Sequence, residues 1–200
     1  MVEIITPPQP APLRLRIWGD LVLRKKAKPV AAITAEIRQL AAEMVETMYT
    51  HHGVGLAAPQ IGRSLRLIII DTRIGRDLLP PDPSPGDILL APRMPLPLVN
   101  PEVIRASKAL ETCSEGCLSV TKVYADVTRP AAVVLRATTL EGETFEVECD
   151  GLLGRCVQHE IDHLDGILFP DRLSREELRK VETELAGLEK TVKRRRPRPT

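Results

Sequence analysis

The hydrophobic pattern of the chain is clearest over residues 151–164, where it has the period of an α-helix. At about 100° per residue, apolar side chains recur on one face and histidines fall on the other. Asp150-Gly151 and Asp165-Gly166 predict where this helix begins and ends. Its apolar face consists of Leu153, Val157, Ile161 and Leu164. The pattern therefore predicts a helix that buries one face in a core and offers the other to a site.

Other periodic segments predict the remaining elements. An apolar stripe at helical spacing predicts a helix from Thr34 to Thr50, capped by Thr34. Seven prolines make 73–97 a long loop, for which we predict a brief strand at 88–91. Ser174 caps a last helix with a narrow apolar seam. Further strands are predicted at 13–17, 65–70, 98–104, 131–139 and 144–149, the last two forming a hairpin.

Composition narrows the function classes. The chain has 200 residues, 43% apolar and 2% aromatic, which suits one domain with an aliphatic core. Its formal net charge of +1 gives no electrostatic argument for DNA binding. No apolar run reaches the roughly 20 residues that span a bilayer, and no secretory signal opens the sequence. We therefore expect a cytoplasmic protein, without a membrane partner, whose four cysteines are reduced.

An H-E-x-x-H sequence stands in the middle of the predicted helix at 151–164. His159 and His163 are one helical turn apart, so two imidazoles can hold one metal ion, and the adjacent Glu160 can handle protons. A solvated polar face is the alternative interpretation, but Leu152 and Cys156 share the same sector. Two ligands are too few for a catalytic site of zinc type, which has three protein ligands. The rest of the chain must supply the third.

Two earlier segments also carry candidate chemistry. Residues 53–62 read GVGLAAPQIG, which contains neither a dinucleotide fingerprint nor a Walker lysine and alone could be a helix terminator and turn. Residues 115–119 read EGCLS, in which Cys117 alone could be a small buried apolar residue. His51 and His52 are adjacent and diverge in direction, so we interpret them as the end of a helix rather than as metal ligands.

In this order, GVGLAAPQIG, EGCLS and QHEIDH (158–163) resemble the three signature motifs of peptide deformylases. The resemblance extends over about 13–174 and implies an α+β fold, with antiparallel or mixed sheets around the central HExxH helix and a C-terminal helix. The resemblance places the catalytic domain at 13–173. Composition and patterning predict a flexible proline-rich arm at 1–12, the C-terminal helix at 174–192 and a basic disordered tail at 193–200.

The resemblance also implies a metal and a reaction. Cys117 joins His159 and His163 as the third ligand of one divalent metal, with Fe(II) favoured and zinc, nickel or cobalt possible. The implied reaction is hydrolysis of the N-formyl group from the initiator methionine of nascent polypeptides, releasing formate. Water activated by the metal attacks the formyl carbon, and Glu160 acts as general acid and base.

The remaining roles are implied in the same way. The Gln60 amide and the backbone N–H of Leu118 stabilise the developing oxyanion. The substrate backbone lies against Gly55 as an added strand. The methionine side chain enters an apolar pocket formed by Val54, Leu152 and Cys156.

Some positions depart from the family pattern, and other interpretations remain open. Thr121 stands where the family commonly has proline. The segment 73–97 is longer and richer in proline than in the simplest members, and Cys113 occupies a position that is often an aliphatic residue. A zinc metalloprotease shares HExxH alone, and a ribosome-associated binding module would use the C-terminal helix and the basic tail at 193–200. For an enzyme of this type, the same helix and tail are candidate contacts with the ribosome.

Overall fold

The chain folds into two antiparallel sheets around a central helix. The computed structural model describes residues 12–73 and 79–195. The helices are α1 (Ala35–Thr50), α2 (Pro85–Leu90), α3 (Gly151–Leu164) and α4 (Arg175–Arg195). The strands are β1 (Gly55–Ala57), β2 (Leu67–Ile70), β3 (Leu96–Ala106), β4 (Leu110–Cys117), β5 (Val120–Pro130), β6 (Ala132–Thr138) and β7 (Thr144–Asp150).

The larger sheet has the order β1-β2-β3-β6-β7, and β4 and β5 form a separate hairpin. All the pairs between these strands are antiparallel, which agrees with the predicted antiparallel or mixed sheets. β1 lies at an edge of the larger sheet, where within the described residues it pairs only with β2. An edge strand has unpaired N–H and C=O groups, so it can accept a further strand from a peptide.

Helix α3 packs against the core and has the two faces that the sequence predicts, one apolar and one carrying the histidines. Leu153, Val157, Ile161 and Leu164 are buried in one cluster with residues of β2, β3 and β6. Burying a leucine or isoleucine side chain stabilises a fold by roughly 1.5–3 kcal/mol, so four such residues fix the rotation of the helix. This rotation directs the histidine face towards the β4–β5 hairpin.

Most predicted elements are confirmed, with shifted ends. α1 is capped by Thr34 as expected, and β6 and β7 form the predicted hairpin. The last helix continues to Arg195, beyond the predicted end at 192, so the first part of the predicted tail is helical. Residues 1–11 and 196–200, which belong to the predicted arm and tail, lie outside the described residues.

Two local predictions are wrong. Residues 13–17 form no strand. Residues 88–91 are not a strand, because Ser84 caps α2 and receives the Asp87 amide hydrogen bond at 3.1 Å. Leu90 of α2 is fully buried, whereas Ile88 and Leu89 are exposed, so this apolar run is not a buried strand. The sequence analysis also omitted the strands β1, β4 and β5, although buried and exposed residues alternate along most of β5.

Candidate active site

Three potential metal ligands converge between the hairpin and α3. The ligand atoms of Cys117, His159 and His163 all lie within 4.8 Å of one another. Cys117 Sγ is 3.2 Å from His163 Nε2, and the two imidazole rings are 5.0 Å apart at an angle of 73°. Over residues 12–73 and 79–195 this is the one such group of three or more His, Cys, Asp or Glu side chains. A thiolate with two imidazoles is a donor set that suits divalent transition metals.

The local sequence explains how the cysteine reaches the helix. Cys117 is the last residue of β4, and a turn at Leu118 and Ser119 leads directly into β5. The hairpin tip therefore presents the Cys117 thiol at its end. Val120, the first residue of β5, is fully buried in a cluster with Phe169 and residues of α4, which holds this tip in place.

Glu115 orients one of the two histidines. His159 Nδ1 lies 2.9 Å from Glu115 Oε2, which leaves its other ring nitrogen for a ligand position. Glu115 also accepts hydrogen bonds from Arg129 at 2.6 and 2.9 Å and from Arg155 at 2.8 Å. Burial alone would raise the pKa of Glu115, but the hydrogen bonds from His159 and Arg129 lower it overall. Glu115 is therefore an ionised carboxylate that fixes the His159 ring.

The same arginine extends the network to the back of α3. Arg129 also donates to Asp162 at 2.7 Å, and Asp162 accepts from Arg172 at 2.6 Å. Arg129 and Asp162 are buried, so each would be costly without its partner. This charge network ties β4, β5 and α3 together around the ligands. Sequence reasoning missed the role of Glu115 within EGCLS, and it missed Arg129, because neither belongs to the HExxH pattern.

His163 has different surroundings. Its Nδ1 is buried and has no hydrogen-bond partner among the described residues. Burial lowers the pKa of His163, which favours the neutral imidazole that binds metals. Packing rather than a carboxylate holds this ring.

Glu160 lies beside the ligands in a poorly solvated position. It is 4% exposed, and its Oε2 has no hydrogen-bond partner within the described part of the chain. Burial is the main reason that its pKa is raised, to about 7, while the charges of His159 and Arg129 act in the opposite direction. A carboxyl group with such a pKa can take up and release a proton near neutral pH.

Gln60 is held with its amide towards the cysteine. Its Oε1 accepts the Ala57 N–H at 2.7 Å, while its Nε2 donates to Ser119 Oγ at 3.2 Å and lies 3.6 Å from Cys117 Sγ. The Ser119 N–H in turn lies 3.4 Å from Cys117 Sγ. Ser119 is fully buried and is a positioning residue that sequence reasoning did not single out.

A cleft of about 620 Å³ opens over these groups. Its wall contains both the polar residues and the predicted substrate-binding residues, namely Val54, Gly55, Gln60, Cys117, Leu118, Leu152, Cys156, His159 and Glu160. His163 lies behind them, fully within the protein. The structure thus brings all the predicted site residues together.

The backbone at Gly55 lies close to the Glu160 carboxyl group. A Cβ atom at this position would lie 2.5 Å from Glu160 Oε1 and 2.9 Å from Cys156 Sγ. Both distances are too short for real contacts, so a side chain here would displace one of these groups. Cys156 also lies 3.5 Å from the carbonyl oxygen of Val54, which packs α3 directly against β1.

The departures from the family pattern have distinct positions. Thr121 lines the cleft, whereas Cys113 does not. Part of the proline-rich segment borders a neighbouring cavity of about 350 Å³, which shares Leu152 with the cleft. A larger depression of about 810 Å³ lies behind α3, on the side of Asp162 and Arg172, and includes none of the three ligands.

An HExxH helix completed by a cysteine from a hairpin defines a class of metal-dependent hydrolases. The sequence profile of the family described as Polypeptide deformylase matches residues 12–179. The chain therefore belongs to the polypeptide deformylase family, whose reaction is removal of the N-formyl group from nascent peptides.

Curated relatives and solved structures agree with this assignment. Peptide deformylase 2 of Gloeobacter violaceus is 46% identical over 162 residues, which is 81% of this chain and 79% of that protein. Peptide deformylase of Rhodopseudomonas palustris is 47% identical over 159 residues, 80% and 84% of the two chains. The Synechococcus elongatus enzyme, crystallised with actinonin, is 40% identical with a TM-score of 0.73, covering 91% and 88%. Arabidopsis thaliana peptide deformylase 1B is 32% identical with a TM-score of 0.79, covering 94% and 96%.

These matches favour the deformylase over the metalloprotease alternative, because they extend across all three motifs rather than HExxH alone. The chain is thus a hydrolase of protein biosynthesis. In the described ranges no helix combines the length and the apolar character needed to cross a membrane.

Proposed function

We propose that the deformylation reaction is carried out by the residues that line this cleft, each with a separate role. The observation that carries this proposal is the meeting of three ligand atoms within 4.8 Å, beside a buried carboxyl group. Cys117, His159 and His163 would hold one divalent metal, for which Fe(II) is favoured and zinc, nickel or cobalt are alternatives. When bound, such a metal supplies a Lewis acid that polarises a carbonyl and promotes ionisation of water.

Glu160 carries the proton in this proposal. Its carboxylate accepts a proton from the attacking water and delivers it to the methionine nitrogen as the formyl C–N bond breaks. The products are formate and a free amino terminus. The poor solvation of Glu160 supports this role, because burial brings its proton affinity into the working range.

Gln60 and Leu118 stabilise the charge that develops on the formyl oxygen. Gln60 Nε2 is held by Ser119 close to Cys117, and Leu118 follows the cysteine directly in the cleft wall. Fixed donors of this kind contribute about 2.7–4 kcal/mol each to transition-state stabilisation.

The peptide would bind as an added strand along β1. Gly55 permits a close approach of the substrate backbone, because it lacks a side chain. Val54 and Leu152 are partly exposed in the cleft wall and, with Cys156, provide an apolar surface for the methionine side chain. The proposed substrate class is therefore a formyl-methionyl peptide in an extended conformation.

The test compares Glu160→Gln with the wild-type enzyme on formyl-Met-Ala-Ser. We expect deformylation to fall by at least about a hundredfold, since general acid–base catalysis contributes 10²–10⁴-fold, while elemental analysis still shows one metal per chain. Glu148→Gln is the matched control, because Glu148 is an exposed residue of β7 outside the cleft. Near-normal turnover by Glu160→Gln would refute the proton-transfer role.

We also propose that α4 and the basic segment after it contact the ribosome in the cytoplasm. Support comes from the exposed polar face of α4 and from the run Lys193-Arg194-Arg195-Arg196. The four free cysteines are consistent with a reducing compartment. Co-sedimentation with ribosomes at low and high salt tests this contact, and unchanged binding after deletion of 193–200 would exclude the tail.

A further inference from the structure

The mouth of the cleft has an unbalanced charge. Among the described residues of its wall, the two carboxylates are Glu115 and Glu160, and both are buried. Glu115 is also bound to Arg129, Arg155 and His159. Among the residues that the structure describes, the exposed part of the wall therefore contains no acidic group that a peptide would meet on entry.

Lys122 is the charged group that remains available at this mouth. It is exposed, lines the cleft, and its ammonium group has no hydrogen bond or ion pair with the residues that the structure describes. Arg155 is the other arginine or lysine among the described residues of the wall, but its side chain is 10% exposed and is held by Glu115 and Glu111. An incoming side chain can therefore interact with Lys122 without breaking an existing pair.

The backbone holds Lys122 at the rim. In the β4–β5 hairpin, Tyr124 pairs with Gly116 while Val120 pairs with Cys117, so residues 121–123 form a bulge in β5. Val120 and Val123 are both buried, which anchors the two sides of this bulge. Lys122 itself has φ of +64°, a left-handed conformation that L-residues rarely adopt. Strained residues of this kind cluster at sites that bind ligands.

Tyr124 keeps the bulge close to Cys117. The Tyr124 ring covers Gly116 so closely that a Cβ there would lie 2.5 Å from it, and Gly116 directly precedes the ligand Cys117. Lys122 is thus attached to the same short hairpin end as the metal-binding cysteine. Its position relative to a bound peptide is set by this hairpin, although the long side chain keeps its freedom.

We propose that Lys122 is a specificity-determining residue that favours acidic side chains in the two positions after the formyl-methionine. This inference rests on the proposed function, because it concerns peptides bound in the same cleft. Attraction between exposed charges is weak, about 0.2–1 kcal/mol, so a two- to fivefold preference in kcat/KM is the expected scale. The preference should appear in KM and decline with salt.

The experiment compares three amidated peptides, formyl-Met-Glu-Glu, formyl-Met-Gln-Gln and formyl-Met-Lys-Lys, at low ionic strength. Amidation removes the carboxyl-terminal charge, so the side chains alone differ in charge. Lys122→Asn and Lys122→Asp are the chosen variants, because Asn and Asp tolerate the left-handed conformation better than other L-residues. Lys108→Asp is the matched control, since Lys108 is an exposed lysine between β3 and β4 and does not line the cleft.

We expect the wild-type enzyme to prefer Glu-Glu over Lys-Lys, Lys122→Asn to lose most of this preference, and Lys122→Asp to reverse it. Lys108→Asp should retain the wild-type ratio. An unchanged ratio in Lys122→Asp, or an equal shift in Lys108→Asp, would overturn the proposal. If circular dichroism shows that the variants do not fold, the wild-type enzyme provides the test. A preference for the Glu-Glu peptide that persists at 1 M NaCl would contradict the proposed role of Lys122. If the wild-type enzyme itself turned over none of the three peptides, that result would instead count against the proposed function.

Discussion

Two glutamates of the active site have nearly equal burial and opposite behaviour. Glu115 is 6% exposed and Glu160 is 4% exposed. Glu115 has three cationic or hydrogen-bonding partners, which lower its pKa despite burial, whereas Glu160 has an oxygen without any partner in the described residues, and burial raises its pKa. Burial alone therefore does not decide the charge of a carboxyl group. The partners decide it.

The difference divides the work of the site. An ionised Glu115 holds the His159 ring, so it would support the proposed metal site. Glu160 can change its protonation, so it suits proton transfer. The histidine face of α3 thus meets a fixed charge on β4 and carries a variable charge of its own, because Arg129 of β5 binds Glu115 and, among the described residues, makes no hydrogen bond with Glu160.

Removal of Arg129 should have the largest effect on the difference between the two glutamates. In Arg129→Met, Glu115 and Asp162 lose a shared buried partner, which should lower the free energy of unfolding by about 3–5 kcal/mol. Urea denaturation of metal-free protein measures the change. Arg136→Met is the matched control, because Arg136 also bridges two carboxylates but lies exposed on β6, where solvent screens the ion pairs, and its loss of stability should be much smaller. Equal losses in the two variants would show that burial of the network is unimportant.

More conservative substitutions test whether the two glutamates have different roles. Glu115→Gln keeps the shape of the side chain but weakens its hold on His159, so metal affinity should fall about 10- to 100-fold. Glu160→Gln should leave affinity within a few-fold of the wild type, since Glu160 makes no hydrogen bond to either histidine. Competition with a chelator measures both values. A larger loss of affinity in Glu160→Gln than in Glu115→Gln would reverse the assignment.

The smallest effect concerns a buried carboxylate outside the metal site. Asp71 accepts hydrogen bonds from the Tyr49 hydroxyl at 2.7 Å and from Arg73. Burial alone would raise the pKa of Asp71, but these hydrogen bonds lower it overall. Tyr49→Phe should cost about 1–2 kcal/mol at pH 7.

The sign of the pH dependence follows from the lowered pKa of Asp71. Stabilisation by the ionised form is present above the unfolded-state pKa of about 3.9 and is lost as the pH falls through the folded-state value. The gap in stability between the wild type and Tyr49→Phe should therefore narrow in acid. Thermal unfolding at pH 7 and pH 3 provides the measurement, and a gap that widens in acid would contradict it.

The sequence could predict the helical half of the site better than its support. His159, Glu160 and His163 lie within five residues, so local periodicity places them on one face of α3. Cys117 and Gln60 are distant in sequence, and only the resemblance to a family connected them with the histidines. The Glu115–Arg129 pair spans two strands of a hairpin, and no periodic pattern identifies which carboxylate an arginine will meet.

Local errors have physical causes as well. Residues 88–91 were predicted as a strand from their apolar run, although Ser84-Pro85 and Asp87 form a helix start that outweighs this run. The bulge at 121–123 depends on packing of Val120 and Val123 against α4 and Phe169, which are far along the chain. Tertiary contacts therefore determined the parts of the cleft rim that periodicity did not reveal.

Gly55 limits how this enzyme can change. A single added carbon would collide with the Glu160 carboxyl and the Cys156 thiol, so the proposed proton carrier and the backbone of β1 lie in direct contact. Substitution here cannot be compensated on β1 alone, because the displaced groups belong to α3. Mutational tolerance at position 55 is thus a joint property of two elements that are about a hundred residues apart.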